Sequence, residues 1–362
     1  MVPVIDQTGK PLFPCKERRA RCLMQRKEAV AYWQKGIFCI RLVRKETDKR
    51  EEYQPIALGI DTGSKREGYT VLTPSATVLN ITTNTPDWVK AHVETRRNLR
   101  RARRQRKTPY RKCRENRATL RKPNRIPPST KARWQAKLRI ISILQRILPI
   151  THINVEDIAA VSKTGKANWN LNFSPLEVGK EWFYGEVEKL GVRLSKTEGT
   201  DTKKHRDNRG FKKLTGKQKM LYTWEAHNCD SHSLAEMVLK QQVKPFLGLY
   251  QVEFLEYYRR QLHKQNPKKG GIRKPYGTTV SLGLPRGSTV RYRNKLAYLG
   301  GTSKGRLSLH TIETGKRITQ NAKKADVQML HSAKHTTQFI RSAVSSPSKM
   351  KPLDGVSTAK KR

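Results

Sequence analysis

The sequence predicts an α/β core that is split by an arginine-rich helix, preceded by a small basic module and followed by a β-rich module. Three observations carry this. Short apolar runs at 56 to 60, 69 to 72 and 77 to 82, with turn residues between them, read as strands, while "KARWQAKLRIISILQRIL" and "WEAHNCDSHSLAEMVLK" read as helices. Between them lies a tract from 94 to 122 crowded with arginine. From about 271 the pattern shifts to short β segments separated by glycine turns.

In chain order, residues 1–54 form the N-terminal module, with apolar runs at Val2 to Ile5 and Gly36 to Val43 around a helix-like "CKERRARCLMQRKEAVAYWQ". The first part of the core covers 55–93, where Gly63 and Gly68 mark a hairpin. The arginine tract occupies 94–125. A second core part, 126–160, opens on Pro127-Pro128-Ser129-Thr130 as a helix stop and cap, then gives the alternating strand "ITHINVEDI". The third part, 161–243, holds the strand "VRLSKTEG", a lysine-rich loop "TDTKKHRDNRGFKK" and the last helix. Residues 244–270 include a helix-like "FLEYYRRQLHKQ", 271–344 form the β-rich module, and 345–362 read as a disordered basic tail.

The chain has 362 residues with 76 Lys+Arg against 29 Asp+Glu, a formal net charge of +47. Such a surplus repels itself in any compact fold that lacks a polyanion partner, so nucleic acid is the default ligand. A membrane is the rival, but the most apolar stretch, "IISILQRILPI" at 140 to 150, is too short to span and carries Arg146. The first residues, "MVPVIDQTGK", lack the basic start and apolar core of a secretory signal, which predicts an intracellular protein. Cysteines 15, 22, 39, 113 and 229 form no C-x-x-C pair, so reduced thiols are expected rather than a zinc site or a disulfide framework.

Acids are scarce here, which makes their placement informative. Asp61 ends the run "IALGID"; an Asp-Thr-Gly standing alone is a turn former, because Asp accepts bonds from backbone donors just after it. Glu156 lies on the "HINVEDI" strand and Asp230 opens the helix after "HNC". Oxygen ligands that converge from separate elements are what two divalent ions need to hydrolyse a phosphodiester. His227 stands three residues before Asp230, and one helix would put both on one face, with the imidazole placed to position or activate water. Asp157 turns to the other face of its strand and reads as structural; His232 reads as a surface or nucleic-acid contact, and Asp201 and Asp207 as acids balanced by nearby lysines.

In "RRNLRRARRQRKTPYRKCRENRATLRK", residues 96 to 122, 14 residues are Lys or Arg and only Glu115 is acidic. Leu99 and Ala102 are the only apolar residues before Pro109, so no face is reserved for a core. Composition alone allows a loose basic arm; the position between two acid-bearing strands instead favours a helix lying between nucleic-acid strands. Arg96, Arg97, Arg100, Arg101, Arg103, Arg104, Arg106, Arg111 and Arg114 are the candidate phosphate contacts.

The order strand Asp, strand Glu, helix Asp resembles the ribonuclease-H-like fold of RuvC-type nucleases, where the two strand acids are neighbours and the third reaches them from the helix. "VPVIDQTGKPLFPCKERRARCLMQRKEA" resembles the PLMP module of IscB-like transposon-encoded proteins, with Phe13 at the motif's Met. "IALGIDTGSK", "HINVEDI" and "HNCDSHSLA", with an arginine-rich bridge helix between the first two, are similar to the same family. Residues 157 to 229 hold no cysteine before Cys229 and only His205 and His227, too little for the inserted HNH nuclease of IscB-like proteins, so the chain looks like the HNH-lacking IsrB group.

The resemblance implies an RNA-guided endonuclease that nicks the displaced DNA strand at a single RuvC-like site. Asp61, Glu156, His227 and Asp230 would be catalytic, with the three acids holding two Mg²⁺ ions that Mn²⁺ can replace. Its partners would be a long structured guide RNA and a double-stranded DNA target, in a ribonucleoprotein with one protein copy inside a prokaryotic cell. The C-terminal module would read a short target-adjacent motif; Arg286, Arg291, Arg293, Asn294, Gln320 and Asn321 have the side chains for base edges. Two alternatives stay open from the residues: an RNA-guided binder that does not cut, and a ribosomal-type structural RNA-binding protein.

Overall fold

The computed structural model describes residues 1–43, 54–63, 65–107, 126–157, 175–216, 218, 221–254, 280–311, 315–331 and 337–341. The chain divides into two compact units, Met1–Val252 with Ile340–Arg362, and Glu253–Phe339.

The first unit opens with β1 (Val2–Ile5), β2 (Pro11–Cys15), α1 (Glu17–Gln25), β3 (Ala29–Gln34) and β4 (Ile37–Leu42). The strands form a sheet in the order β2-β1-β4-β3. Ala20 and Leu23 of α1 join Val2, Val4, Leu12, Ile40 and Leu42 in its core. The helix expected over "CKERRARCLMQRKEAVAYWQ" is therefore half right. It stops at Gln25, Lys27 turns to φ 59, and Ala29–Gln34 is a strand paired residue by residue with β4. Val30, Tyr32 and Trp33 are β-formers, and the turn Lys35-Gly36, with φ 51 and 101, is the positive-φ pair that closes a two-residue hairpin.

The core follows: β5 (Ala57–Asp61), β6 (Arg66–Thr73), β7 (Ala76–Asn84), α2 (Val89–Lys107), α3 (Pro128–Gln145), β8 (His152–Asp157), α4 (Pro175–Glu188), β9 (Arg193–Glu198), α5 (Gly199–Asn208), α6 (Trp224–His227), α7 (Cys229–Leu239) and β10 (Tyr250–Phe254). Six strands of a seven-stranded sheet run in the order β10-β7-β6-β5-β8-β9. β5, β6 and β7 are an antiparallel meander, while β8 runs parallel to β5 and β9 parallel to β8. Strand alternation divides the side chains between two faces. Leu58, Ile60, Tyr69, Ile153 and Val155 are buried on the face covered by α3 and α4, where Trp134 stacks on Phe183 at 4.9 Å. Gly59, Asp61, Gly68, Thr70, Asn154 and Glu156 share the other face, which α7 covers.

A buried ion pair joins the sheet to α3. Lys137 Nζ donates to Glu67 Oε1 at 2.5 Å and Tyr69 Oη donates to Glu67 Oε2 at 2.6 Å, with Lys137 4% and Glu67 3% exposed. The carboxylate is thus neutralised and hydrogen-bonded at once, the condition under which a buried charge is tolerated.

Two further expectations change here. "TDTKKHRDNRG" is not a loop but most of α5, whose only buried residue is Thr202, so its apolar signal is nearly nil. The last helix is broken: Asn228, at φ −109 and ψ −7, separates α6 from α7. α2 begins before the arginine tract, at Val89, and touches α3; residues 108–125 lie outside the described residues. Cys15, Cys22, Cys39 and Cys229 are free thiols, and Cys113 lies outside the described residues.

The second unit comprises β11 (Val280–Ser281), β12 (Leu284–Pro285), β13 (Thr289–Tyr292), β14 (Lys295–Ser303), β15 (Arg306–His310), β16 (Arg317–Ala322) and β17 (Val327–His331). β11 pairs with β12, and the other five form an antiparallel sheet in the order β16-β15-β14-β13-β17 around Val290, Ala297, Leu299, Leu307, Leu309 and Ala322. The last described strand, β18 (Thr337–Arg341), is the seventh of the core sheet, next to β10. Of the helix expected over "FLEYYRRQLHKQ", Phe254 ends β10 and the rest lies outside the described residues, as does the basic tail. Among the described residues no helix is long and apolar enough to cross a membrane.

Candidate active site

The parallel pairing of β5 and β8 sets the site. Ile60 is in register with Val155, so the next residues, Asp61 and Glu156, emerge side by side where the two strands end. The carboxyl ends of parallel strands are where α/β sheets bind ligands. α7 supplies the third acid, and it can do so because the sheet beneath it is pared to glycine. A Cβ on Gly59 would run into Ser231 O and Ala235 N, and one on Gly68 into His227 O.

Two buried asparagines then fix the helix. Asn228 Nδ2 donates to Tyr69 O at 3.0 Å and Ile81 O at 3.2 Å, and its Oδ1 accepts from Thr82 Oγ1 at 2.9 Å. Asn154 Nδ2 donates to Leu234 O at 2.9 Å, while its Oδ1 accepts from Thr197 Oγ1 at 2.9 Å. Ser231 Oγ lies 2.8 Å from Thr70 Oγ1. None of these residues stood out in the sequence, although the polar run "HNCDSHS" at the start of a buried helix is a signal of such stitching.

Asp61, Glu156 and Asp230 each offer a carboxylate oxygen, all within 4.8 Å of one another. Burial pushes the Glu156 carboxyl up to about 8, and the neighbouring Asp61 adds to the shift. Three acids gathered this closely demand cations, and the chain itself supplies two that sequence reasoning missed. Lys213 Nζ donates to Asp61 Oδ2 at 3.2 Å and to Asp230 Oδ2, and Arg206 Nη1 donates to Asp230 Oδ1 at 2.8 Å. Both belong to the stretch expected to be a lysine-rich loop.

A metal fits this donor set. Three carboxylates are hard oxygen ligands of the kind Mg²⁺ and Mn²⁺ take, and no cysteine or histidine nitrogen is among them. Arg206 and Lys213, which touch the acids, also line a cleft of about 590 Å³ together with Lys203, Asp207, Phe211 and Lys212. Its cationic wall suits a phosphodiester.

His227 is not part of the cluster. It ends α6, one residue before Asn228, and its Nε2 accepts from Arg66 Nη1 at 3.4 Å, which places the ring proton on Nδ1. Arg66 in turn lies over the Tyr222 ring at 4.2 Å. His232, expected at the surface, is fully buried. Its Nε2 lies 3.3 Å from Glu236 Oε1 and 3.1 Å from Val243 O, and Arg209 clamps the same Glu236 through Nε at 2.9 Å and Nη2 at 3.1 Å. Burial alone would raise Glu236, but these bonds and that from Val243 N–H outweigh it and hold the carboxyl down at about 2. This clamp ties the end of α5 to α7 and so steadies Arg206 beside Asp230. Asp157 points away from the site, to Lys180 Nζ at 2.6 Å and Tyr184 Oη at 3.0 Å. Asp201 and Asp207 lie beside Lys204 and Arg206 at 3.6 and 3.2 Å.

Of the arginine candidates, Arg96, Arg97, Arg100, Arg101, Arg103, Arg104 and Arg106 fall on α2, and the first four are exposed; Arg111 and Arg114 lie outside the described residues. Among the base-reading candidates, Arg291, Arg293, Asn294, Gln320 and Asn321 are exposed, and Arg293-Asn294 form the β13–β14 turn at φ 46 and 60. Arg286 cannot reach a base edge, because it is buried with Nε donating to Ser281 Oγ at 2.9 Å.

Asp61 and Glu156 thus lie at the ends of neighbouring strands, and Asp230 meets them from the first turn of α7. Residues 2–167 match the model of the RRXRR protein family. Among solved structures, T. thermophilus RuvC in complex with a Holliday junction substrate is similar at 12% identity over 50% of this chain and 90% of that one, with a TM-score of 0.27. The yeast mitochondrial Holliday junction resolvase Ydc2 is similar at 14% identity over 52% of this chain and 78% of that one, also with a TM-score of 0.27. No curated protein matches the sequence.

Proposed function

We propose that the chain is an RNA-guided, metal-dependent DNA endonuclease that nicks the displaced strand of its target. The observation that carries the reading is the convergence of Asp61, Glu156 and Asp230 within 4.8 Å, from two strands and a helix, beside a cationic cleft. These acids would hold two Mg²⁺ ions, or Mn²⁺ in their place. Such ions, when bound, supply activation of water and stabilisation of the leaving oxygen in an in-line displacement.

The chain's own residues do the rest. Lys203, Arg206 and Lys212 draw a single strand into the cleft, and Arg66 holds His227 in the tautomer with Nε2 as acceptor. The exposed arginines of α2 grip phosphates without reading bases, as a protein does when it delegates sequence recognition to a guide RNA. The exposed Arg291, Arg293, Asn294, Gln320 and Asn321 are the candidates for reading a target-adjacent motif.

The test is the RNA that copurifies with the protein, and whether that RNA programs cutting of a matching duplex. One long defined species with a variable end, supporting Mg²⁺-dependent cleavage of the matching DNA, is expected; heterogeneous RNA that programs no cutting would contradict the guided reading. Within the complex, Arg96, Arg97, Arg100 and Arg101 replaced by Ala should weaken nucleic-acid binding and lower the slope of log affinity against log salt by roughly one unit per lost phosphate contact. An unchanged slope in a salt titration would remove α2 from the interface.

A further inference from the structure

We infer that Lys213 and a divalent ion compete for the same carboxylates, so that metal loading is coupled to the arrival of a phosphodiester that takes over the lysine ammonium; this rests on the metal-site reading proposed above. Lys213 Nζ bridges Asp61 and Asp230, two of the three acids of the cluster. Both oxygens of Asp230 already face a cation, Oδ1 Arg206 and Oδ2 Lys213, so a divalent ion held by the two aspartates repels the ammonium at close range and displaces it.

Arg206, the other cation on Asp230, is differently placed. Its guanidinium is also held by Asp207, through Nε and Nη2, each at 3.2 Å from Oδ1, and it approaches Asp230 through Nη1 alone. Lys213 has the freer side chain on an anchored backbone: Leu214 N donates to Glu225 O at 3.1 Å, and Lys212 O accepts from Cys229 Sγ at 3.9 Å. Displacement therefore means a swing of the lysine side chain, with its main chain in place.

The surroundings decide where that ammonium can go. The adjoining cleft is lined by Lys203, Arg206 and Lys212, with Asp207 already paired to Arg206, so it repels a free ammonium. A phosphodiester in the cleft reverses the sign and gives Lys213 a new partner. Metal binding and strand binding then favour each other, and Lys213 serves as a positioning residue that holds the phosphate once it leaves the acids.

The test uses the full chain with Mn²⁺ alone as probe, free ion being followed by electron paramagnetic resonance. Lys213→Met and Lys213→Gln should each bind Mn²⁺ at least about ten-fold more tightly than wild type, and Lys213→Arg, which keeps the cation, should not. Adding the dinucleotide thymidylyl-thymidine should tighten Mn²⁺ binding in the wild type and have a smaller effect in Lys213→Met. Met and Gln variants with wild-type affinity, or an equal dinucleotide effect in wild type and Lys213→Met, would overturn the inference while leaving the metal site intact. Mn²⁺ binding that is untouched by Asp230→Asn would overturn the metal-site reading itself, and this inference with it.

Discussion

Asp61→Ala is expected to lower Mg²⁺-dependent DNA cleavage by at least about a thousand-fold, since the three acids act as a unit and a missing member removes most of the catalytic effect. Nucleic-acid affinity should stay close to wild type. Asp61 is one acid in a chain of net charge +47, and it lies among carboxylates that a phosphate avoids unless cations intervene. Its loss also releases one of the two partners of Lys213, so if binding changes it should tighten slightly. Single-turnover cleavage and filter binding on the same preparation separate the two effects; near-wild-type cleavage would mean that the site lies elsewhere.

The largest effect on stability is expected at a distance from the chemistry. Lys137→Met should destabilise the fold by about 3–5 kcal/mol, because it strands the Glu67 carboxylate on the closed face of the sheet with only the Tyr69 hydroxyl for company. The double variant Glu67→Gln, Lys137→Met removes both charges and should recover much of that loss. Denaturant unfolding of the three proteins checks it. A single variant as stable as wild type would show that Glu67 is not held as a buried ion.

Much of this site was legible from residues alone, for a definite reason. A strand that stops at an acid, in a chain with few acids, marks a position, and parallel pairing of two such strands places Asp61 beside Glu156 without further information. Its place at the opening of the last helix, after "HNC", marked Asp230. What escaped was hidden by the chain's own charge. Arg206 and Lys213 sit among so many cations that nothing in sequence separates the two that touch the acids from those facing water. α5 escaped because a helix with one buried residue has no apolar period to read.

The surroundings of His232 were misjudged, because a histidine in a polar run reads as exposed while α7 buries it. Asn228 separates α6 from α7 while its side chain bonds Tyr69 O, Ile81 O and Thr82. With the helix restarted at Cys229, His232 turns into the protein against Glu236, and His227 is left facing Arg66. Likewise Arg286 had the chemistry of a base reader, but Ser281 occupies its guanidinium inside the second unit.

The measurement that bears most directly on the account is strand-resolved cleavage. A duplex matching the guide is labelled on one strand and then on the other, and incubated with the ribonucleoprotein and Mg²⁺. The one cluster of three carboxylates among the described residues, beside a cationic cleft, should give cutting of the displaced strand only, leaving a 5′-phosphate, and chelation should stop it without releasing the DNA. Efficient cutting of both strands, or cutting confined to the guide-paired strand, would contradict it.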